Sequence, residues 1–272
     1  MQWNAKIIVL GAGDLGTASG IRLYRSGLRP LLVDSLPPSD LHSFRNFSDL
    51  VNTEKKQVDD INGVYLGNID DFSAFDLDSI KNAFNNRSIP LVSGAVSDIL
   101  ALIGPEILVD CRENISNTSL PWQEFPCVIK IGTKYNVGID GHIVIGYGKR
   151  DQGRVYYKQH NQHIDEQASG DTILAPLEGI FVTGVSAGDH VSERQPIGQI
   201  NNINILSPND GYITGILHSG HFVYRHQPMV EIQPTGSGYT PLKEIPLKCV
   251  AVSGGILEAV MAYLIKSTPQ TW

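Results

Sequence analysis

The sequence predicts an α/β protein in which a mostly parallel sheet carries helices on both faces, with a small all-β unit after it. Three observations predict this. The first 35 residues form a complete strand–glycine turn–helix–strand unit. Strand and helix patterns then alternate with short connections to about residue 165, which is how parallel sheets are built. Beyond that point a 32-residue repeat of short strands replaces the alternation.

Lys6-Ile-Ile-Val-Leu10 is an apolar strand that runs into Gly11-Ala-Gly13-Asp14-Leu15-Gly16. A helix from Asp14 to Ser26 and a second apolar strand, Pro30 to Asp34, follow. Gly11 suits the tight turn out of the strand. Gly13 lets the backbone approach a pyrophosphate, and Gly16 lets helix and strand pack closely. The pattern is a Rossmann-like dinucleotide fingerprint. A phosphate would meet free N–H groups of the first turn, Asp14 and Leu15 included, at the positive end of the helix dipole. Asp34 ends the second strand, where a carboxylate accepts hydrogen bonds from a ribose. Asp14 conflicts with a diphosphate unless its carboxylate caps the helix or meets a metal or base.

The elements that follow are a helix over Asp76–Asn85, a strand over Ile89–Val92, a helix over Ser97–Ile103 and a strand over Ile107–Asp110. Cys127–Ile131 and Gly141–Tyr147 read as further strands, and the polar stretch Gln159–Gly170 reads as a linker. The expected domains are 1–165, 166–236 and 237–272. In the last, Cys249 opens a short strand, Gly254-Gly255 a turn, and Leu257, Val260, Met261 and Leu264 recur at helical spacing. This helix is expected to return to the first domain. Gly254 and Gly255 at its start read as a second anion-binding N-terminus.

Composition narrows the function. The 272 residues carry a formal charge of −7 and no basic stripe, which argues against a nucleic-acid partner. The three cysteines, Cys111, Cys127 and Cys249, are far apart and lack metal spacing, as in a reducing cytosol. The N-terminus reads as a strand and not as a signal peptide. The longest apolar run, Ile256–Ile265, is too short for a bilayer and contains Glu258. A cytoplasmic protein without membrane attachment is expected.

Other candidate residues sit at strand ends and turns. Asp110 and Arg112 lie at the C-terminal end of a parallel strand, where α/β sheets bind ligands. Arg112 suits bidentate phosphate binding, or an ion pair with Asp110 or Glu113. Arg45 follows a Pro-rich loop and is a further phosphate candidate. Cys111 beside Arg112 is a candidate activated thiol or a small buried residue. His160/His163 and His218/His221 have metal-like spacing but no evident third ligand, so no metal site is assigned. No catalytic residue is assigned either.

The repeat matches Pro176 with Pro208, Gly179 with Gly211, Gly188 with Gly220, Val191 with Val223, Pro196 with Pro228 and Ile200 with Ile232. Its Ala-Pro, Gly-Asp, Gln-Pro and Ile-x-Ile pattern over Asp171–Pro234 resembles the biotinyl/lipoyl-type barrel-sandwich hybrid. In that family the modified lysine projects from the hairpin between the halves. Here the hairpin is Asn201-Asn-Ile-Asn-Ile205, and no lysine occurs between Lys158 and Lys243. Biotin and lipoate are excluded as cargo, since no amine is present to acylate.

The order of segments resembles the YqeB family, accessory proteins associated with selenium-dependent molybdenum hydroxylases. The similar stretches are Gly11–Gly20, Phe44–Val51, Val109–Arg112, Val137–Asp140, Gly153–Val155, Ala175–Gly179 and Gly254–Ala259. The chain departs from the pattern at Gly132–Asn136, Ile145–Lys149 and Ile232–Thr235. The resemblance implies a role in maturation of a molybdenum hydroxylase client, with a dinucleotide ligand such as NAD(P) or a molybdopterin dinucleotide on the glycine turn. A ligand-free scaffold and an NAD(P)-dependent oxidoreductase are the alternatives, and homo-oligomerisation stays open.

Overall fold

The computed structural model describes residues 6–34, 40–69, 76–112, 121–159, 171–235 and 244–267. The chain divides into two compact units, Met1–Leu36 with Asn46–Glu166 and Ile245–Trp272, and Pro37–Arg45 with Gln167–Glu244.

In the first unit, β1 (Ile7–Leu10) is followed by α1 (Asp14–Arg25) and β2 (Pro30–Asp34). All four residues of β1 are buried, as in a strand covered on both faces. Ile7 and Val9 enter one core, and Ile8 and Leu10 enter another on the opposite face. A short helix α2 (Leu50–Thr53) leads to an antiparallel hairpin, β3 (Lys55–Val58) and β4 (Ile61–Asn68). Then come α3 (Leu77–Asn85), β5 (Ser88–Ser93), α4 (Val96–Ile103), β6 (Ile107–Asp110), β7 (Cys127–Ile131), β8 (Ile143–Ile145) and β9 (Val155–Tyr156). Asp76 caps α3 by accepting from Asp78 N at 3.0 Å, and left-handed Gly104 closes α4.

These nine strands form one sheet in the order β3-β4-β5-β2-β1-β6-β7-β8-β9. The seven inner strands are parallel, and only the edge pairs β3/β4 and β8/β9 are antiparallel. The fold is therefore mixed α/β with a large, mostly parallel sheet. The chain leaves β1 to one side through β2 and comes back to its other side at β6. The C-terminal ends of β1 and β6 thus border a switch point of the kind that opens a crevice.

The tail corrects the sequence reading. The segment read as a strand, a Gly-Gly turn and a helix is one helix, α5 (Leu247–Ser267). It packs on α1, where Arg22 Nε donates to Ser253 Oγ at 2.8 Å and Arg22 Nη2 to the Val250 carbonyl at 3.1 Å. Burial of Val252, Ile256, Ala259 and Val260 against the sheet and α1 overrides the low helix propensity of the glycine pair. The helix also exceeds the ten-residue apolar run read from sequence. By length and composition, Leu247–Lys266 is long and apolar enough to cross a membrane, with mean hydropathy 1.6.

The second unit holds two four-stranded antiparallel sheets. Its strands are β10 (Asp171–Leu174), β11 (Gly179–Val182), β12 (His190–Val191), β13 (Pro196–Ile200), β14 (Ile203–Leu206), β15 (Gly211–Ile216), β16 (His221–Val223) and β17 (Pro228–Pro234). The sheets run β10-β17-β15-β12 and β14-β13-β11-β16. A shift of 32 residues carries each strand onto its counterpart in the other sheet, so the sequence repeat is a pseudo-two-fold with exchanged strands. Ile180 faces Phe222 across β11/β16, and their counterparts Tyr212 and His190 face each other across β15/β12. Asn201 and Asn202 make the β13–β14 turn with φ of 48° and 66°, the left-handed values that asparagine tolerates.

Sequence placed residues 40–45 in the first domain, whereas they cluster with the second unit. Within that unit Leu41 enters the core and its carbonyl accepts from Ile216 N at 2.8 Å. His42 Nε2 lies 3.1 Å from Glu231 Oε2, and Ser43 Oγ 2.9 Å from His218 Nε2.

Candidate functional site

At the end of β1 the chain turns through Gly11, whose φ of +90° favours glycine. Its N–H donates to the Val33 carbonyl at 2.7 Å, tying the turn to β2. A Cβ on Gly11 would touch Arg112 Cγ at 3.4 Å and the backbone of Cys111 and Arg112 at 3.5 Å. A Cβ on Gly16 would collide with the Gly11 carbonyl. Gly13 is different. It sits before α1 with φ −63° and supplies no side-chain cap, so backbone geometry alone does not demand glycine there.

The turn is braced by side chains. Asp34 Oδ2 accepts from Ala12 N at 3.2 Å, placing the β2 carboxylate against the glycine turn. Thr17 Oγ1 donates to the Ala12 carbonyl at 2.7 Å and accepts from Phe47 N at 2.8 Å. Asp14 Oδ1 accepts from Asn46 Nδ2 at 3.0 Å. Buried Asn46 is itself fixed, its Oδ1 accepting from Ser48 N at 3.1 Å and Ser48 Oγ at 2.6 Å. One partner of Asp14 is thus the side-chain amide of Asn46, 32 residues away.

A second constellation adjoins the turn. Asp110 and Lys130 are register partners on β6 and β7. Lys130 Nζ donates to Asp110 Oδ2 at 2.6 Å. Arg112 grips the same carboxylate, Nε to Oδ1 at 2.8 Å and Nη2 to Oδ2 at 2.9 Å. Arg112 is therefore paired with Asp110; Glu113 lies outside the described residues. Burial alone would push the Asp110 carboxyl up, but the hydrogen bonds and charge of Arg112, with Lys130 beside it, hold it below the ordinary carboxylate range. Two cations face the one carboxylate of Asp110, while the Asp34 and Asp14 carboxylates lie at the glycine turn itself. Lys130 Nζ also lies 5.2 Å from the centre of the Tyr135 ring.

The sequence reading missed Lys130, although a signal was present. A lysine inside the apolar strand Cys127-Val-Ile-Lys-Ile131 points to a buried counter-ion.

The remaining candidates disperse. Arg45 belongs to the second unit, its guanidinium 5.7 Å from the Phe44 ring. Gly254 and Gly255 lie inside α5, so they form no helix N-terminus and the anion site expected there is withdrawn. Gly255 instead admits the Gly153 backbone, whose carbonyl a Cβ would strike. Cys111 is buried, with Sγ 3.7 Å from Ser19 Oγ. Burial, with Glu106 nearby, pushes the Cys127 thiol up to about 12. His218 and His221 find no third metal-type ligand among the described residues, and His160 and His163 lie outside them.

No protein-family model matches the chain. Over 275 aligned residues it is 25% identical to the uncharacterized protein YqeB of Escherichia coli (strain K12), a match covering 97% of this chain. The chain is YqeB-like. It spans about half of that relative, 49% of YqeB's length. Solved structures show only faint likeness. An aspartoacylase family protein from Mesorhizobium loti is 11% identical with a TM-score of 0.26, covering 86% of each chain. A succinylglutamatedesuccinylase/aspartoacylase from Rhodobacter sphaeroides is 13% identical with a TM-score of 0.23, covering 74% of this chain and 57% of the other. Likeness at that level carries no inference about fold or chemistry, so the YqeB-like description rests on sequence.

Proposed function

We propose that this YqeB-like chain is an accessory protein in molybdenum hydroxylase maturation. In this reading it binds a nucleotide-containing cofactor, with the pyrophosphate on a Rossmann-like glycine turn. The observation that supports the binding step is the placement of Gly11–Gly16 at the switch point between β2 and β6, with the Arg112–Asp110–Lys130 group beside it. The first turn of α1 would supply N–H donors, and Asp34, held against the turn by Ala12 N, would accept from a ribose. The maturation role rests on the family resemblance alone. The barrel-sandwich-like unit, lacking a carrier lysine, would dock the client.

Calorimetry with NAD, ADP and pyrophosphate tests the binding step. Gly13→Asp is the informative variant. Aspartate is a good N-cap, so the helix is retained while a carboxylate occupies the anion's place. Binding by the wild type and its loss in a folded Gly13→Asp protein are expected. Failure of the wild type to bind any of the three at millimolar concentration would favour a scaffold, the reading that the Asp14 carboxylate in the turn supports. Mass spectrometry of the native protein identifies any ligand retained on purification.

A further inference from the structure

Two cations, not one, contact the buried Asp110 carboxylate. A buried carboxylate that loses its sole counter-ion is strongly destabilised. Here Arg112 and Lys130 both contact Asp110, at 2.8 Å and 2.6 Å. The two cations are not equivalent. Lys130 lies on β7, nearly buried, with its ammonium between Asp110 and the Tyr135 ring. Arg112 lies just beyond β6, is more exposed, and its stem touches the space over Gly11. A guanidinium fork that fits a carboxylate bidentately fits a phosphate in the same way.

We infer that Asp110 is a parking site: Arg112 leaves it to clamp a phosphate-bearing ligand on the glycine turn, and Lys130 stays behind as the resident counter-ion. This rests on the binding reading above and adds a positioning residue, Lys130, that never touches the ligand. Lys130 acts by making the release of Arg112 affordable. Without it, Arg112 is the carboxylate's last charged partner and is held back.

The experiment is calorimetric titration of the full chain with inorganic pyrophosphate and with ADP at low ionic strength, each variant's fold being checked by thermal melting. Arg112→Gln is expected to weaken binding tenfold or more. Lys130→Met is expected to do the same, and Lys130→Arg to restore it. The diagnostic protein is Lys130→Met with Asp110→Asn: removing the carboxylate charge frees Arg112, so affinity should return to within about threefold of wild type. A merely structural Lys130 would show no such recovery. Asp110→Asn alone, which does not depend on Lys130→Met folding, should bind severalfold more tightly than wild type. Wild type that binds neither probe overturns the binding reading and this inference with it. Wild type that binds, with Lys130→Met unaffected, the double variant unrecovered, or Asp110→Asn binding no more tightly, overturns the inference and leaves the binding reading intact.

Discussion

Gly16 packs on the carbonyl of Gly11 so closely that a Cβ at residue 16 would collide with the oxygen. Backbone holds both sides of this contact, so a side chain cannot rotate away from the clash. Gly16→Ala should cost about 1–3 kcal/mol, the range for overpacking a close-packed site. Gly13→Ala should cost under about 1 kcal/mol, because its φ of −63° is open to alanine and only a modest capping preference is lost. Urea denaturation of the two variants checks the ordering. Equal costs would mean that Gly13 is as tightly constrained by packing as Gly16.

Neighbouring glycines in α5 should respond with opposite signs. A Cβ on Gly254 would meet nothing within 4 Å, whereas one on Gly255 would strike the Gly153 carbonyl. Alanine gains roughly 1 kcal/mol over glycine inside a helix. Gly254→Ala should therefore raise the melting temperature, and Gly255→Ala should lower it. Thermal scans at one protein concentration separate the two.

That glycine pair also marks where the sequence misleads. Cys249-Val-Ala-Val252 has strand-like residues and Gly-Gly suggests a turn, yet tertiary burial of every third or fourth side chain decides for a helix. The hairpin of β3 and β4 was missed for a related reason. Lys55-Lys-Gln-Val58 lies at the sheet edge, where a polar strand shows no apolar alternation. The strands beside the switch point were legible because burial on both faces leaves nearly continuous apolar runs. Site residues divided along similar lines. The glycine turn and the Asp110–Arg112 pair are local in sequence and could be read, and Asp34, 22 residues from Ala12, could be read because the strand–turn–helix–strand pattern fixes its place. The Asn46–Asp14 and Lys130–Asp110 contacts join segments 32 and 20 residues apart; a lysine in an apolar strand signals a buried counter-ion without naming it.

The Asp110 group predicts an acid limb. Its folded carboxyl titrates below the ordinary value of 3.8, so the stability it confers is complete above that value and is lost as pH falls through the folded one. Urea midpoints measured from pH 6 down to pH 2 should show this loss. In Asp110→Asn the limb should flatten, and stability at pH 6 should fall because two cations lose their anion. An unchanged acid limb would argue against the ion pairing.

Cys127 predicts the opposite limb. Its thiol is raised from 9.0 to about 12, so between those values the unfolded chain ionises while the folded one stays protonated. Stability should fall as pH rises through 9.0 toward 12, and Cys127→Ala should remove that part of the slope. Iodoacetamide at pH 8 should label Cys127 only after denaturant is added, since the thiolate is the reactive form and the side chain is buried. Rapid labelling of native protein would contradict the burial.

The pseudo-two-fold of the second unit separates what its fold requires from what one sheet happens to display. On β11, on β16 and just after it, Ile180, Val182, Phe222 and Tyr224 face outward, Ile180 at 52% and Tyr224 at 66% exposure. Phe222 and Tyr224 stack edge to face at 5.3 Å. The counterparts 32 residues away are Tyr212, Thr214, His190 and Ser192, so the same backbone positions fold with polar side chains on the other sheet. Ile180→Tyr, Val182→Thr, Phe222→His and Tyr224→Ser should therefore each change stability by no more than about 0.5 kcal/mol, as exposed substitutions do. Phe181, one residue away and fully buried, has no such freedom: Phe181→Ala should cost about 3–5 kcal/mol. Denaturant titration of the full chain measures both. If the four outward changes cost as much as Phe181→Ala, the outer face would be part of the folding core, and the two sheets would not be interchangeable solutions to one packing problem.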